Sequence, residues 1–449
     1  MILQRIVSEG LAHYSYLVGD GGNLAVIDPR RDVGVYLELA RQAGGKITAI
    51  LETHRHEDMI LGSQELRQLT GADIYISGHE DVGHVYGNRI RDGFSLQLGG
   101  IALKAIHTPG HTLGHLSYAL YEDGRETPYL VFTGDSLFIG DLARTDLYGP
   151  EQLESMTNLM YETVFERLLP LGDEVLIMPA HGAGSACGQS MEERPYSTLG
   201  YERRYNEQLQ DESRSAFIQR FGRMRLRPAY FDRMRRYNVM GAQPLGLGMV
   251  ILPVTLKEAA DQELVLVDCR PKEAFNGGHI PGSIYLNMDN WSVHLGTILD
   301  PDTPLALIID PTQLSRLEDI FRQSRRIGFE QIRGFIPQAI VEWQTSGCRL
   351  ERLDTISSEE FMNSPAKDSV LLDLRKEHEY DAGDPPNRLL IPLEELRDRL
   401  AEIPKGKLVY LLCASGNRAI TAASMLQRAG VATSVITGGI KGLRQVGKQ

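Results

Sequence analysis

Cysteine is scarce in this chain: 449 residues hold four, Cys187, Cys269, Cys348 and Cys413, widely separated and with no CxxC pair. That spacing excludes a disulfide framework and a structural thiolate zinc site, and it fits a reducing compartment. Long apolar runs are missing as well, since no window approaches the roughly eighteen consecutive apolar residues that a membrane span needs. Positive charge is short, with 47 Lys and Arg against 59 Asp and Glu for a net charge of −12. Neither a nucleic acid nor a membrane is therefore expected as partner. Met1-Ile2-Leu3-Gln4-Arg5 runs into strand-like sequence without a basic stretch or an apolar h-region, so a cytoplasmic protein is expected. A composition of 42% hydrophobic and 24% charged residues excludes general disorder. At roughly 150 residues per domain the length suggests about three domains.

Histidine, in contrast, is concentrated. Nine of the twelve lie before residue 200, and seven of those fall between His54 and His115. In this half, Ser15 to Val18 and Leu24 to Ile27 flank a turn at Asp20-Gly21-Gly22 and predict a β-hairpin. Asp32 is placed to cap a helix with apolar positions Val33, Tyr36, Leu37 and Ala40, and the following strand, Ile47 to Leu51, ends at Thr53-His54. Further strands at Ile101 to Ile106, Tyr129 to Phe132 and Val175 to Met178 each run into a loop bearing His or Asp. Four strand ends should thus deliver polar side chains to one edge.

Thr53-His54-Arg55-His56-Glu57-Asp58-Met59 sets two histidines and a carboxylate at alternate positions, which point the same way in an extended or tightly turned loop. His111 after Pro109-Gly110, Asp135 after Thr133-Gly134 and His181 after Pro179-Ala180 complete the candidate ligands, with small neighbours that permit close approach to a buried ion. His107 and His115 flank His111 and read as supporting groups. His13, His79 and His84 have no partner at ligand spacing and receive no function.

Charged residues at helical spacing between Glu192 and Tyr237 read as solvated helix faces. Gly241 to Gly248, rich in Gly and Pro, reads as a linker and domain boundary. Beyond it lies a repeat: Val265 to Arg270 aligns with Val370 to Arg375 at an offset of 105, which also carries Phe275 onto Tyr380 and Leu286 onto Ile391. Each copy predicts a small parallel sheet with helices on both faces. In the second copy the buried strand Leu408 to Leu412 enters the loop Cys413-Ala414-Ser415-Gly416-Asn417-Arg418 ahead of a helix. Such a loop can curl N–H groups around the sulfur, and Arg418 and the helix N-terminus add positive potential, all of which favour a thiolate or persulfide anion. The first copy has Asp310 in the place of Cys413 and lacks the loop's glycine and arginine, so it has no nucleophile.

The N-terminal motifs, up to about residue 240, resemble the metallo-β-lactamase superfamily, whose H-x-H-x-D-H signature, later His, bridging Asp and final His occur here in order. Met59 stands where the two-metal members have histidine, and a thioether is a poor ligand for an ion held by N and O. The remaining His54, His111 and Asp135 form a two-His-one-carboxylate set suited to one Fe(II) per chain, as in the persulfide dioxygenase branch. By that resemblance, His56, Asp58 and His181 orient ligands or waters. Ala143 to Asp146 and Ser197 to Glu202 resemble bacterial dioxygenases fused to rhodaneses, which implies that Arg144 contacts acidic groups of a carrier thiol. The Cys413 loop, with Asp373 and Arg375, resembles an active rhodanese.

The expected architecture is α/β: an N-terminal αββα metallo-β-lactamase fold at 1–245, a pseudo-rhodanese at 250–350 and an active rhodanese at 355–449. The implied function is oxidation of low-molecular-weight thiol persulfides by dioxygen to sulfite, with Cys413 and Arg418 passing sulfur toward or from thiosulfate. The alternative is a zinc-dependent thioester hydrolase of glyoxalase II type. A homo-oligomer is expected.

Overall fold

The computed structural model describes residues 1–446 except 212, 226, 229, 247, 249 and 364, and the backbone alone at Asn290 and His378. It divides into two units, residues 1–248 with 325–328, and residues 249–324 with 329–449. Leu247, within the Gly241 to Gly248 linker, lies outside the described residues. Among the described residues no helix is long and apolar enough to cross a membrane.

In the first unit, β1 (Ile2–Ser8), β2 (His13–Asp20), β3 (Asn23–Ile27), β4 (Lys46–Leu51), β5 (Asp73–Ser77) and β6 (Asn88–Ile90) form one six-stranded sheet in sequence order. A second six-stranded sheet holds β7 (Ser95–Leu98), β8 (Ile101–His107), β9 (Leu116–Glu122), β10 (Leu130–Gly134), β11 (Leu176–Pro179) and β12 (Ser197–Thr198), again in sequence order. The predicted hairpin is the antiparallel pair β2 and β3, with Asp20 opposite Asn23.

Strand alternation sorts the side chains into layers. Tyr16, Val18, Ala25, Ile27 and Leu51 of the first sheet meet Leu103, Tyr118, Leu120 and Phe132 of the second between the sheets. The intervening Leu17, Leu24, Val26 and Ile50 point outward onto Tyr36 and Ala40 of the helix Gly34–Gln42 and Leu66 of the helix Ser63–Thr70. Val131 and Ile177 pack outward from the second sheet onto Met160, Val164 and Leu168. The result is the four-layer αββα arrangement, to which each fully buried aliphatic side chain contributes roughly 1.5–3 kcal/mol. Asp32 does not cap its helix. Val33 holds that position without a side-chain bond, and Asp32 pairs with Arg30 at 3.0 Å.

Strand β10 runs parallel to β11 and antiparallel to β9, which is antiparallel to β8. Strands β8, β10 and β11 therefore run the same way, and His111, Asp135 and His181 follow their C-terminal ends.

The second unit holds two all-parallel sheets. One is ordered β14-β13-β15-β16, with β13 (Val265–Asp268), β14 (Ile284–Tyr285), β15 (Leu305–Ile308) and β16 (Ile332–Ile336). The other is ordered β17-β21-β20-β18-β19, with β17 (Asp354–Ile356), β18 (Ser369–Asp373), β19 (Arg388–Leu390), β20 (Leu408–Leu412) and β21 (Thr433–Ile436). The 105-residue repeat extends to individual bonds. Leu286 N–H donates to Asp268 O as Ile391 N–H does to Asp373 O, both at 3.1 Å. Arg270 clasps both oxygens of Asp268 as Arg375 clasps those of Asp373, with the Nη2–Oδ2 bond at 2.7 Å in each.

Candidate metal centre and cysteine loop

Beyond β4 the chain turns so that the Thr53 N–H and hydroxyl both donate to the Asp28 carboxylate at 2.7 Å. With its proton given to Asp28, Thr53 Oγ1 accepts from His54 Nδ1–H at 2.9 Å. This fixes the tautomer and leaves the His54 Nε2 lone pair facing inward. His111 is oriented by the main chain instead: its Nδ1–H donates to the Arg144 carbonyl at 2.8 Å.

His54 Nε2, His111 Nε2 and Asp135 Oδ2 are buried and have no hydrogen-bond partner. The carboxylate oxygen lies 3.8 Å from the first nitrogen and 3.5 Å from the second. Converging buried acceptors without a donor are costly unless a cation sits among them. The three atoms lie within 4.8 Å of one another, and two imidazoles with a carboxylate suit a divalent ion. Burial, helped by His56 and His111, pushes the pKa of His54 well down. Burial also lowers His111 against the pull of Asp135. Both imidazoles are thus neutral, as ligands must be.

His181 donates from Nδ1 to Asp135 Oδ1 at 2.7 Å and from Nε2 to Asp58 Oδ2 at 2.8 Å. Burial opposes its protonation, but the two carboxylates prevail and raise its pKa well above the usual value. Both ring nitrogens are occupied. His56 lies 3.4 Å from Asp28 and 3.7 Å from Asp58, and against burial these carboxylates push its pKa up to about 10. His56, Asp58 and His181 form a second group with ligand atoms within 4.8 Å. Met59 is buried.

Three supporting residues carry no signal at ligand spacing. His13, on β2, is buried with its ring 5.3 Å from His56 and 5.4 Å from His181. Cys187 groups with Asp135 and His181 within 4.8 Å, and burial raises its thiol pKa well above the usual value. Asp28 acts through Thr53, as described. His115 takes the Asp135 N–H on Nε2 at 2.9 Å and bonds to Thr108 Oγ1 at 2.8 Å. Gly134 permits this approach: its φ is +52°, and a Cβ there falls 2.5 Å from His115 Nε2. His107 bonds to the Leu113 carbonyl at 2.9 Å and stacks on His79 with centroids 3.7 Å apart. The Arg144 side chain, expected at a carrier thiol, is buried and binds Asp146 through Nε and Nη2 at 2.7 and 2.8 Å.

In the second unit, Cys413 is buried at the end of β20 and accepts the Gly416 N–H on Sγ at 3.0 Å. Gly416 precedes the helix Asn417–Arg428. Ala414 and Asn417 are half-buried, and Ser415 is exposed. Gly439, at φ +57°, lies so close beneath the loop that a Cβ falls 2.4 Å from the Cys413 carbonyl oxygen. Arg418 is held by Glu379 through two bonds of 2.6 Å while remaining in electrostatic reach of Cys413. At the matching strand end of the first copy, the register places Ile309 rather than Asp310 opposite Cys413, and Asp310, one residue further on, caps a short helical turn, accepting from the Thr312 N–H at 2.9 Å and hydroxyl at 2.6 Å.

Residues 9–181 match the metallo-beta-lactamase superfamily, and residues 252–342 and 357–445 each match the rhodanese-like domain. A hydroxyacylglutathione hydrolase from Pseudomonas entomophila is 32% identical over 171 residues, which are 38% of this chain and 61% of that protein. The mitochondrial persulfide dioxygenase ETHE1 of Bos taurus is 31% identical over 192 residues, 40% of this chain and 68% of that one. The crystal structure of a metallo-beta-lactamase from Staphylococcus aureus subsp. aureus COL superimposes with a TM-score of 0.67 at 31% identity, covering 75% of this chain and 99% of that one. The chain belongs to the metallo-β-lactamase superfamily, with two rhodanese-like domains following the αββα domain.

Proposed function

We propose that the αββα domain oxidises a low-molecular-weight thiol persulfide with dioxygen to thiol and sulfite, and that Cys413 carries sulfane sulfur between persulfide, sulfite and thiosulfate. The observation that carries this reading is the set of buried, partnerless ligand atoms that converge on His54, His111 and Asp135; His56 and Asp58 also hold buried atoms without a partner, but the third residue of their group is already engaged. His181 has both nitrogens bound to carboxylates, and a methionine follows Asp58. The set suits mononuclear iron better than two zinc ions. The ETHE1 relative supports the same reading.

His54, His111 and Asp135 would hold the metal, which when bound brings persulfide sulfur and dioxygen together. The chain's own residues do the rest. Thr53 and the Arg144 carbonyl hold the two imidazoles in the ligating tautomer. His181 fixes the second oxygen of Asp135 and links it to Asp58. In the last domain, the Gly416 N–H gives the Cys413 sulfur a donor. Persulfide, dioxygen and water yield thiol and sulfite, and attack of sulfite on a Cys413 persulfide then yields thiosulfate and Cys413. A shared chain keeps the two sites at high effective concentration.

Oxygen uptake with glutathione persulfide, measured beside metal content after anaerobic reconstitution, tests the reading. About one iron per chain and oxygen consumption that disappears in Asp135→Ala are expected. Two tightly bound zinc ions with thioester hydrolysis, as the hydroxyacylglutathione hydrolase relative would suggest, overturn it.

A further inference from the structure

The loop that bears His54 and His56 is tied at both ends to one residue far along the chain. Asn238 lies near the C-terminal end of the helix Phe231–Met240 and is only 1% exposed. Its Nδ2 donates to the His56 and Met59 carbonyls, both at 2.8 Å, and its Oδ1 accepts the Leu61 N–H at 2.9 Å. Both Nδ2 hydrogens and the amide oxygen are thus spent on one loop. The Asn238 main-chain carbonyl accepts the Tyr86 hydroxyl at 3.0 Å. That hydroxyl also lies 3.1 Å from Oε1 of Glu52, at the end of β4 where the loop begins.

What the clasp encloses is Asp58. The turn from His56 to Leu61 has two carbonyls and an N–H fixed on one amide, and the carboxylate it carries accepts from His181 Nε2 at 2.8 Å. His181 in turn donates to Asp135 Oδ1 at 2.7 Å, which leaves Asp135 Oδ2 as the partnerless oxygen beside His54 and His111. A continuous series of bonds and loop residues therefore links Asn238 to a candidate ligand. Met59 gives the clasp its task. A histidine there could be drawn inward by a metal ion, whereas the thioether offers no such bond. The Met59 carbonyl is held from outside instead, by Asn238.

We propose that Asn238 is a positioning residue of the metal centre, setting Asp58 and, through it, the His181 hydrogen bond that aims the Asp135 carboxylate. This rests on the reading of His54, His111 and Asp135 as the metal ligands. A determinant of metal retention then lies in the helix just ahead of the Gly241 to Gly248 linker, outside every ligand motif.

The test compares full-chain variants loaded with Fe(II) under anaerobic conditions. Iron release to a chelator should be about tenfold faster in Asn238→Ala, as expected when a group that orients a ligand is lost. The electron paramagnetic resonance spectrum of the nitrosyl adduct should change as well, because the Asp135 carboxylate is no longer aimed. Asn238→Asp keeps an acceptor for the Leu61 N–H but turns a carboxylate toward two carbonyls, so it should release iron at least as fast. Phe231→Leu, at the start of the same helix, should lower the melting temperature while leaving spectrum and release rate as in the wild type. If Asn238→Ala lacks a cooperative melting transition, Tyr86→Phe carries the comparison. It removes only the hydroxyl on the Asn238 carbonyl and should speed release about threefold. A wild-type spectrum and release rate in the folded variant, or equal shifts in Phe231→Leu, overturn the inference. Wild-type protein that retains no iron overturns the metal reading and this inference with it, whereas iron held equally by all variants overturns this inference alone.

Discussion

The middle and last domains share a parallel sheet, an Asp-x-Arg clasp and matching strand-end bonds, yet they part at the end of one strand. After β15 comes Ile309-Asp310-Pro311, and after β20 comes Cys413-Ala414-Ser415-Gly416, so that Ile309 holds the register position of Cys413. Pro311 has no N–H and favours the first turn of a helix, so the Asp310 carboxylate serves as its cap. In the last domain the corresponding residues keep their N–H groups, and Gly416, at φ +103°, brings one onto the sulfur. The clasp is scaffold. Chemistry is decided by the three or four residues that follow the strand.

The largest expected effect breaks that comparison at its reactive end. Cys413→Ser should abolish sulfur transfer, a fall of on the order of a thousandfold or more, because the covalent carrier is lost. Metal content and oxygen uptake should be unaffected, since His54, His111 and Asp135 all lie in the first unit. With persulfide and oxygen supplied, the products should shift from thiosulfate to free sulfite. Wild-type thiosulfate output from the variant, after subtracting the spontaneous reaction, would count against the coupled mechanism.

Next comes a substitution at a buried ion cluster present in only one domain. Asp384 receives Arg375 at 2.6 Å and Arg444 at 2.8 Å. The equivalent residue in the middle domain is His279, whose Nδ1 bonds to the Phe275 carbonyl. Asp384→Asn should cost on the order of 3 kcal/mol, because the buried Arg375 loses one of its two carboxylate partners and Arg444 loses its ion pair. Urea denaturation of the full chain measures it, and a change below about 0.5 kcal/mol would show the cluster to be ornamental to stability.

Acid should separate the two domains without mutation. Burial opposes ionisation of Asp384, but Arg375 and Arg444 prevail and hold its pKa down to about 2. Its folded state therefore binds fewer protons than the unfolded chain, so its contribution, present above the unfolded value near 4, is lost as pH falls toward 2. Burial raises Asp268 in the middle domain, which gives the opposite sign there. Hydrogen exchange at pH 3 against pH 6 should show protection falling in β18 and β20 before β13 and β15. The reverse order would contradict this assignment.

The smallest effect tests the first domain of the pair for hidden competence. Asp310→Cys should not confer sulfur transfer, because Pro311 still denies the loop its N–H, and the lost cap should cost about 1 kcal/mol. Persulfide trapping of the isolated variant signal at residue 310, by mass spectrometry, would break the comparison outright.

The strand-end histidines and the aspartate were legible because their motifs abut strands whose alternation is clear, as at Leu51 to His54. The 105-residue repeat was legible in the same way. His13 was not, because it reaches the centre through β1 and β2 pairing rather than through spacing. The partner of Arg144 was hidden for a related reason: Asp146 is two residues away, yet only the loop's turn shows that it takes the guanidinium. Arg418 was read as a source of positive potential, but Glu379, distant in sequence, holds it.

Substitution scanning sees only side chains, and the acceptor that orients His111 is the main-chain oxygen of Arg144. Any residue at position 144 supplies that oxygen, provided the loop keeps its course. The position can therefore drift in evolution while its oxygen remains indispensable, and an alanine there reports on the Asp146 anchor instead. Exposing the contact takes a change to the backbone itself. Replacing the amide between residues 144 and 145 by an ester would weaken the acceptor while leaving every side chain in place.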